Sequence, residues 1–392
     1  MTSQLLVSYH TCPMEEPGEG LSGGMNIFLR GLLRTLGRRG ISTDVLTRAT
    51  GDTVEITEPF PGVRIFHVPC AFPDPPTRAG AWESVDAFVG NARLLLRGEG
   101  VVPGAVSAHY WMSGVAARRI VDAPMILSYH TVEARKKPVA GVEDAPLSAV
   151  RRREEANLSR AADRVVCFTE HDLAENVRIL PDLAGKGVVI PPGVEGRFRR
   201  LIPREVARSY AGLPGSGAIF LLAARDDAGK NAGAALRAFE TVRERWKGKV
   251  TLLVAGGAEE ASDPSAGVIA LGPVPHEGMP VLFAASDVVV CPSLYESFGM
   301  VPLEALAGGI PVLVPEGTCW GGKVRAEGGG LAYRPDDPEG LSGAMLSLLA
   351  DPSLRARLSV AGPTVAAPFT WERCTDSWER LLASVSTIRT PP

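Results

Sequence analysis

The 392-residue sequence lacks several features that mark particular classes of protein. It has no run of ~18 consecutive apolar residues, the length that a membrane-spanning helix needs, and no basic, apolar leader at its start. Its 41 Lys and Arg against 44 Asp and Glu leave a net charge of −3, too small to indicate nucleic-acid binding by bulk charge. Its six cysteines show no Cys-x-x-Cys spacing, which argues against a zinc site or a disulfide framework. We therefore expect a cytoplasmic globular protein with neither membrane nor nucleic acid as a partner.

What the sequence does have is a regular alternation of short apolar runs with helical stretches. This alternation predicts parallel, doubly wound α/β sheets that are covered by helices on both faces. The length fits two domains, and the turn Pro191-Pro192-Gly193 ends one set of strands before the pattern restarts. We predict an N-terminal domain over 1–192 and a C-terminal domain over 193–370. The remaining segment, 371–392, is expected to form a helix that packs back on the N-terminal domain.

The predicted elements follow from apolar periodicity and from turn residues. Strands are predicted over 5–9, 43–46, 63–68, 104–108, 125–129, 164–169, 188–190, 218–224, 250–255, 268–271, 288–291 and 311–314. Helices are predicted over 25–39, 81–97, 114–121, 147–162, 233–245, 279–285, 301–307, 341–350 and 371–387.

The segment after the predicted strand 288–291 carries two carboxylates and the start of a helix. The backbone amides of Phe298, Gly299 and Met300 are expected to point out of that helix start, which favours anionic or hydroxyl-rich ligands. Glu296 in the loop and Glu304 in the helix could accept paired hydrogen bonds from vicinal sugar hydroxyls. From the residues alone, the alternative is that Glu304 is a solvated helix residue and Glu296 a helix cap.

This paired-glutamate segment resembles the signature of the retaining glycosyltransferases of family 4. The resemblance implies the GT-B fold, in which two Rossmann-like domains face a cleft. It also implies that the donor is a nucleotide sugar, here expected to be a UDP-sugar. By the same resemblance, Glu296 contacts the donor sugar, Glu304 contacts the nucleotide ribose, and the amides of Phe298, Gly299 and Met300 contact the sugar hydroxyls.

Two cations follow the predicted strand 218–224. Arg225 and Lys230 precede a helix, where a guanidinium and an ammonium suit a diphosphate. They resemble the family's Arg-x4-Lys pair, which neutralises the departing nucleoside diphosphate; the alternative is a pair of surface charges. The sequence contains no Asp-x-Asp motif to clamp a divalent metal. We therefore expect metal-independent catalysis with no cofactor, in which Arg225 and Lys230 supply the charge stabilisation.

The first βα corner contains the glycine pair Gly23-Gly24. A formal dinucleotide-binding spacing is present there, but it begins about eight residues after the strand, too far for the tight Rossmann turn. The run from Gly23 to Asn26 instead resembles a loop of one subgroup, the actinobacterial enzymes that add N-acetylglucosamine to inositol phosphate in mycothiol synthesis. The resemblance implies donor contacts at Gly23 and Gly24 and an acceptor contact at Asn26.

Three further segments resemble that subgroup, namely those around Tyr110, around His130-Thr131 and at Arg151-Arg152. The resemblance implies that His130 meets the donor sugar near the reacting carbon, although a core histidine at a strand end is the alternative. It implies acceptor contacts at Tyr110 and Thr131. One of the two arginines would help to hold an acceptor phosphate, and the subgroup's phosphate-binding lysine falls near Arg78 in a dissimilar segment.

Two departures from the subgroup concern substrate choice. Glu15, Glu16 and Glu19 place three carboxylates beside the glycine pair, where added negative charge would repel a phosphate and attract an amine. We therefore predict an aminocyclitol or pseudodisaccharide acceptor, as in the enzymes that add the second sugar in 2-deoxystreptamine aminoglycoside (antibiotic) biosynthesis, which this chain also resembles. The second departure is the segment 316–320, which stands in place of a glycine-rich turn.

Several alternatives stay open at this point. The acceptor could be inositol phosphate, and the three glutamates could form only a solvated loop. The chain could also be a UDP-sugar epimerase, or a protein that binds a sugar nucleotide without turning it over. A homodimer is compatible with the sequence.

Overall fold

The structure is a computed structural model that describes residues 4–18, 21–71, 77–136, 145–199, 202–224, 228–257 and 262–386. The chain divides into two compact units. The first unit holds the described residues up to Lys136, those from 145 to Gly193 and those from Trp371 onward, and the second holds those from Val194 to Thr370. The predicted boundary at 192/193 lies one residue away from this division.

The first unit is built on an eight-stranded sheet. Its strands are β1 (Gln4–Val7), β2 (Thr43–Arg48), β3 (Glu55–Phe60), β4 (Val63–Val68), β5 (Ala105–His109), β6 (Met125–Ser128), β7 (Arg164–Cys167) and β8 (Gly187–Val189). Their order is β3-β4-β2-β1-β5-β6-β7-β8, and every described pairing is parallel except β3 with β4. Every residue of β1, β2, β5 and β6 is buried, as expected for parallel strands that are covered on both faces.

Helices pack on this sheet through apolar stripes. They are α1 (Gly24–Arg38), α2 (Arg78–Glu83), α3 (Val85–Gly98), α4 (Trp111–Ile120), α5 (Ala145–Ala161) and α6 (Glu170–Ile179). In α1 the stripe is formed by Phe28, Leu29, Leu32, Leu33 and Leu36, all buried. The helix predicted over 81–97 is divided in the structure into α2 and α3.

The second unit has a six-stranded sheet in which all pairings are parallel. Its strands are β9 (Ala218–Ala223), β10 (Val250–Ala255), β11 (Val268–Ala270), β12 (Val288–Val290), β13 (Val312–Pro315) and β14 (Gly330–Tyr333), in the order β11-β10-β9-β12-β13-β14. Its helices are α7 (Arg204–Tyr210), α8 (Ala232–Arg245), α9 (Met279–Ala285), α10 (Met300–Ala307), α11 (Cys319–Glu327), α12 (Gly340–Ala350) and α13 (Pro352–Ala366).

The last helix, α14 (Trp371–Ser386), belongs to the first unit and contacts α1. The indole Nε1 of its Trp378 donates to Oε1 of Gln4 in β1 at 3.2 Å. A Cβ on Gly31 of α1 would lie 2.3 Å from the ring of Trp371, so the absence of a side chain there lets the two helices approach. No helix among the described residues has the length and apolar character to cross a bilayer.

The predicted doubly wound α/β architecture is confirmed in both units, but the sequence prediction omitted six elements: β3, α6, α7, α11, β14 and α13. β3 is an antiparallel edge strand with mainly exposed residues, so it shows no apolar run. α13 contains Pro363, a residue that normally ends a helix.

Each sheet has a point at which the strand order reverses direction, between β1 and β5 in the first unit and between β9 and β12 in the second. Ligands of open α/β sheets bind outside the carboxyl ends of the strands at such points. The loops that leave β1, β5, β9 and β12 are therefore the places where a binding site is expected in each unit.

Candidate active site

In the second unit, the loops after β9 and β12 are joined by an ion pair. Lys230 Nζ lies 2.6 Å from Glu296 Oε1, and both side chains are about one-quarter to one-third exposed (31% and 26%). The next residue, Asn231, has a φ of 55° and its amide donates to the carbonyl of Pro292 at 3.4 Å, which ties the two loops together. Arg225 lies outside the described residues. The structure thus brings two of the predicted donor-site side chains, Lys230 and Glu296, into contact.

The start of α10 is held by residues of α11. Met300 is the first residue of α10, and Gly299 before it has a φ of 92°, which favours glycine. The indole Nε1 of Trp320 donates to the carbonyl of Gly299 at 3.0 Å, and the Cys319 thiol donates to that of Phe298 at 3.0 Å. These two hydrogen bonds fix the backbone of Phe298 and Gly299, the segment predicted to meet the donor sugar.

Glu304 is buried in α10, with its side chain only 3% exposed. Its Oε1 accepts a hydrogen bond from Nε2 of His276 at 2.7 Å. Among the described residues, no donor contacts its other oxygen, Oε2. This burial contradicts the reading of Glu304 as a solvated helix residue.

In the first unit, one residue at the switch point and one after the neighbouring strand β6 have left-handed backbone conformations. Tyr110, after β5, has a φ of 79°, and His130, just beyond β6, has a φ of 59°. Neither is glycine, and such conformations cost of order 1–3 kcal/mol each and persist mainly at functional sites. The strain therefore falls on two residues that the sequence had singled out.

Three histidines, the buried His10 and His109 and the half-buried His130, lie around this strained corner. His109 Nδ1 and His130 Nε2 lie 3.0 Å apart, and the rings of His10 and Tyr110 are 4.3 Å apart between centroids. Burial lowers the pKa of His10 and of His109 to about 3 and lowers that of His130 well below its usual value. All three imidazoles are neutral near pH 7, so His130 can take part in hydrogen bonding to a sugar but carries no charge.

Arg151 links the two candidate acceptor residues Tyr110 and Thr131 by hydrogen bonds. Its guanidinium donates to the hydroxyl of Tyr110 at 2.9 Å, to the hydroxyl of Thr131 at 2.9 Å and to the carboxylate of Glu155 at 2.7 Å. It is 3% exposed, whereas the neighbouring Arg152 is exposed. The structure therefore selects Arg151 as the arginine that faces this group.

The carboxylate of Glu133 lies between the cationic groups of Arg151 and Lys136. Glu133 Oε2 is 3.1 Å from Arg151 Nη1 and 3.0 Å from Lys136 Nζ. Burial acts to raise the pKa of the Glu133 carboxyl. The hydrogen bond from Ser148 and the charges of Arg151 and Lys136 outweigh that effect and hold the pKa below its usual value. A small pocket has among its lining residues Arg78, Tyr110, Glu133, Lys136, Ser148 and Arg151.

Two of the three glutamates that were expected to attract an amine, Glu15 and Glu16, are paired with arginines. Glu15 Oε1 lies 2.9 Å from Arg48 Nη2, and Glu16 Oε1 lies 3.1 Å from Arg30 Nη1. Each charge is therefore offset by an arginine of the same unit, which corrects the expectation that these two glutamates offer unpaired negative charge to an acceptor. Glu19 lies outside the described residues.

The glycine pair begins α1, with Gly23 before the helix and Gly24 as its first residue. A Cβ on Gly24 would meet no atom within 4 Å, so the helix start is open to a ligand. The side chain of Asn26 is fully buried, so it is not available for the predicted acceptor contact. Its amide donates to Thr11 Oγ1 at 2.9 Å and to the carbonyl of Cys12 at 2.6 Å, which holds the preceding loop.

Sequence reasoning missed several residues of both half-sites. Glu133 and Lys136 line the pocket beside Tyr110 and Arg151, and their i, i+3 spacing was the available signal. Trp320 forms a hydrogen bond with the carbonyl of Gly299, and the sequence signal for it was the unusual segment 316–320. No local pattern could have found His276, because its contact with Glu304 joins residues 28 positions apart.

Comparison with known proteins agrees with this geometry. Residues 204–365 match the family model Glycosyl transferases group 1, and residues 22–196 match the model Glycosyltransferase Family 4. The D-inositol 3-phosphate glycosyltransferase of Nocardiopsis dassonvillei is 31% identical over 94% of this chain and 91% of its own length. The Corynebacterium jeikeium protein of the same name is 28% identical over 96% of this chain and 95% of its own.

Solved structures show the same architecture. Sucrose-phosphate synthase from Thermosynechococcus elongatus superposes with a TM-score of 0.84 at 25% identity, over 98% of this chain and 99% of its own. The Anabaena protein HepE, solved with UDP and glucose, gives a TM-score of 0.71 at 17% identity, over 98% and 100% of the two chains. The two α/β units thus form the predicted GT-B fold, and the chain is a glycosyltransferase. It belongs to the family 4 and group 1 glycosyltransferases that include the D-inositol 3-phosphate enzymes.

Proposed function

We propose that this enzyme transfers a sugar, with retention, from a UDP-sugar to a hydroxyl of a phosphorylated cyclitol of the inositol phosphate type. The observation that carries the proposal is the convergence of Arg78, Lys136 and Arg151 with the Tyr110 hydroxyl on one pocket. Guanidinium and ammonium groups recognise phosphate through charge-assisted hydrogen bonds. The names of the relatives that align over most of this chain support the same acceptor.

On the donor side, the proposal assigns the diphosphate to Lys230 and Arg225, the sugar to Glu296 and the ribose to Glu304. The bond from the anomeric carbon to the diphosphate breaks while the acceptor oxygen attacks from the same face, and the leaving phosphate takes the acceptor's proton. The protein positions the reactants and stabilises the developing charge. We propose that no metal takes part, with the cationic side chains supplying that stabilisation.

A second candidate acceptor is an aminocyclitol, as in aminoglycoside biosynthesis. The observation in its favour is Glu133, whose carboxylate lies in the same pocket and already binds two cations, Arg151 and Lys136. An acceptor ammonium could replace Lys136 as its partner. An acceptor phosphate would instead have to compete with Glu133 for Arg151.

The two candidate acceptors are distinguished by assaying inositol 3-phosphate and aminocyclitols with the unsubstituted enzyme and with Glu133→Gln. We expect UDP release with inositol 3-phosphate and a product of the corresponding mass. We also expect Glu133→Gln to lower KM for this acceptor about fivefold, because a repulsive contact worth about 1 kcal/mol is removed. Glu154→Gln, which breaks the 3.1 Å pair with Arg153, is the matched control and should leave KM unchanged. Turnover of aminocyclitols alone, with a KM that rises in Glu133→Gln, would replace the first candidate by the second.

A binding experiment should distinguish the proposed roles of Glu296 and Glu304. Glu304→Gln is expected to weaken UDP binding about tenfold, because a ribose hydroxyl loses a hydrogen bond to a charged group. Glu296→Gln should change UDP affinity less and mainly lower turnover of the UDP-sugar. Titration calorimetry with UDP, together with steady-state kinetics, measures both. A larger loss of UDP affinity in Glu296→Gln than in Glu304→Gln would reverse the two assignments.

A further inference from the structure

A line of polar side chains runs behind Glu304 in the second unit. Glu195 Oε2 lies 3.0 Å from Arg197 Nε, Arg197 Nη2 lies 2.8 Å from His276 Nδ1, and His276 Nε2 lies 2.7 Å from Glu304 Oε1. His276 precedes α9 and Glu304 lies in α10, so the chain of contacts links three separate segments of the unit.

The partners of His276 decide which of its ring nitrogens carries the proton. A guanidinium can only donate hydrogen bonds, so Nδ1 of His276 is the acceptor from Arg197. The proton then sits on Nε2 and is donated to Glu304. In this arrangement Nδ1 accepts from Arg197 and Nε2 donates to the carboxylate of Glu304.

The surroundings hold the ring in this orientation. The His276 and Glu304 side chains are only 6% and 3% exposed. The ring of the fully buried Phe198 lies 5.2 Å from that of His276 between centroids, and the Arg197 guanidinium lies 5.4 Å from the centroid of Phe198. A buried carboxylate needs hydrogen-bond partners to offset its desolvation, and His276 supplies one on Oε1.

We propose that His276 is a positioning residue that aims Glu304 at the ribose of the nucleotide donor. By holding Oε1, it fixes the rotation of the carboxylate and leaves Oε2, which no described donor contacts, for a ribose hydroxyl. Arg197 sets the tautomer that makes this possible. The inference rests on the proposed ribose contact of Glu304 and adds a residue that does not itself touch the substrate.

The test compares UDP with 2′,3′-dideoxy-UDP, which lacks the ribose hydroxyls, by titration calorimetry. His276→Asn, which is too short to reach Glu304, should weaken UDP about tenfold and leave the dideoxy nucleotide unchanged, as expected when one hydrogen bond to a charged group is lost. His276→Gln places an amide N–H near the position of Nε2 and should recover most of the affinity. In kinetics, His276→Asn should raise KM for the donor and leave KM for the acceptor unchanged.

Glu304→Gln is the reference variant, and His171→Asn in the other unit is the histidine control. If Glu304→Gln weakens both nucleotides equally, the proposed ribose contact fails. If Glu304→Gln discriminates between them and His276→Asn does not, the positioning role is overturned while the ribose contact stands. Equal losses in His276→Asn and His276→Gln would also overturn it. Should His276→Asn fail to fold, His276→Gln and Arg197→Gln carry the comparison: Arg197→Gln should also weaken UDP selectively, and equal loss for both nucleotides would overturn the role.

Discussion

Lys230→Ala is expected to lower kcat by about 100-fold or more, the scale on which one preorganised charge-stabilising group acts. The physical reason is its place after β9, at the point where the strand order reverses, beside Glu296. A cation there can neutralise the leaving diphosphate. Arg225→Ala is expected to have an effect of the same size. Steady-state kinetics with a UDP-sugar and the acceptor measure both.

Lys247→Ala is the matched control for this prediction. Lys247 is an exposed lysine of the same unit, on the segment that follows α8, and its removal should leave kcat within about twofold of the unsubstituted enzyme, as for most surface substitutions. If Lys230→Ala and Arg225→Ala both kept near-normal kcat, neither residue would stabilise the leaving group.

Arg151→Met is expected to destabilise the first unit by about 3–5 kcal/mol, because it leaves the buried carboxylate of Glu155 without its cation. Arg151 is the common partner of Glu155 at 2.7 Å and of Glu133 at 3.1 Å. Its loss also frees the Tyr110 and Thr131 hydroxyls, so acceptor KM should rise in whatever protein remains folded. Denaturant unfolding followed by fluorescence measures the change in the free energy of unfolding.

Arg152→Met, one residue further along α5, is the control for this experiment. Its side chain is exposed, and we expect a change in unfolding free energy within about 0.5 kcal/mol. Equal effects of the two substitutions would mean that the network around Arg151 contributes nothing specific to stability.

The segment of the candidate donor site that follows β12 could be predicted, because its residues lie close together in the sequence. The apolar run of β12, the following loop and the start of α10 form one local unit, so the resemblance that implies roles for Glu296 and Glu304 is visible in one continuous segment. Residues that act through distant contacts could not be predicted. Trp320 reaches the carbonyl of Gly299 from 21 positions away, and His276 reaches Glu304 from 28.

Charge in the acceptor half was misjudged for a related reason. The carboxylates of Glu15 and Glu16 read as free negative charge in a linear sequence, but the fold places Arg48 and Arg30 beside them. The carboxylate that does line the pocket, Glu133, is marked in the sequence only by its i, i+3 spacing from Lys136. A net local charge depends on which side chains the fold brings within a few ångströms.

The sequence by itself determined the alternation of strands and helices, and with it the parallel, doubly wound sheets, because apolar periodicity is a local property of the chain. It also determined the glycosyltransferase class, through motifs whose residues follow single strands. Only the tertiary structure decided that Arg151 and not Arg152 lines the pocket beside Tyr110, and that His276 forms a hydrogen bond with Glu304. These outcomes depend on contacts between residues far apart in sequence, which only the packing of the elements against one another establishes.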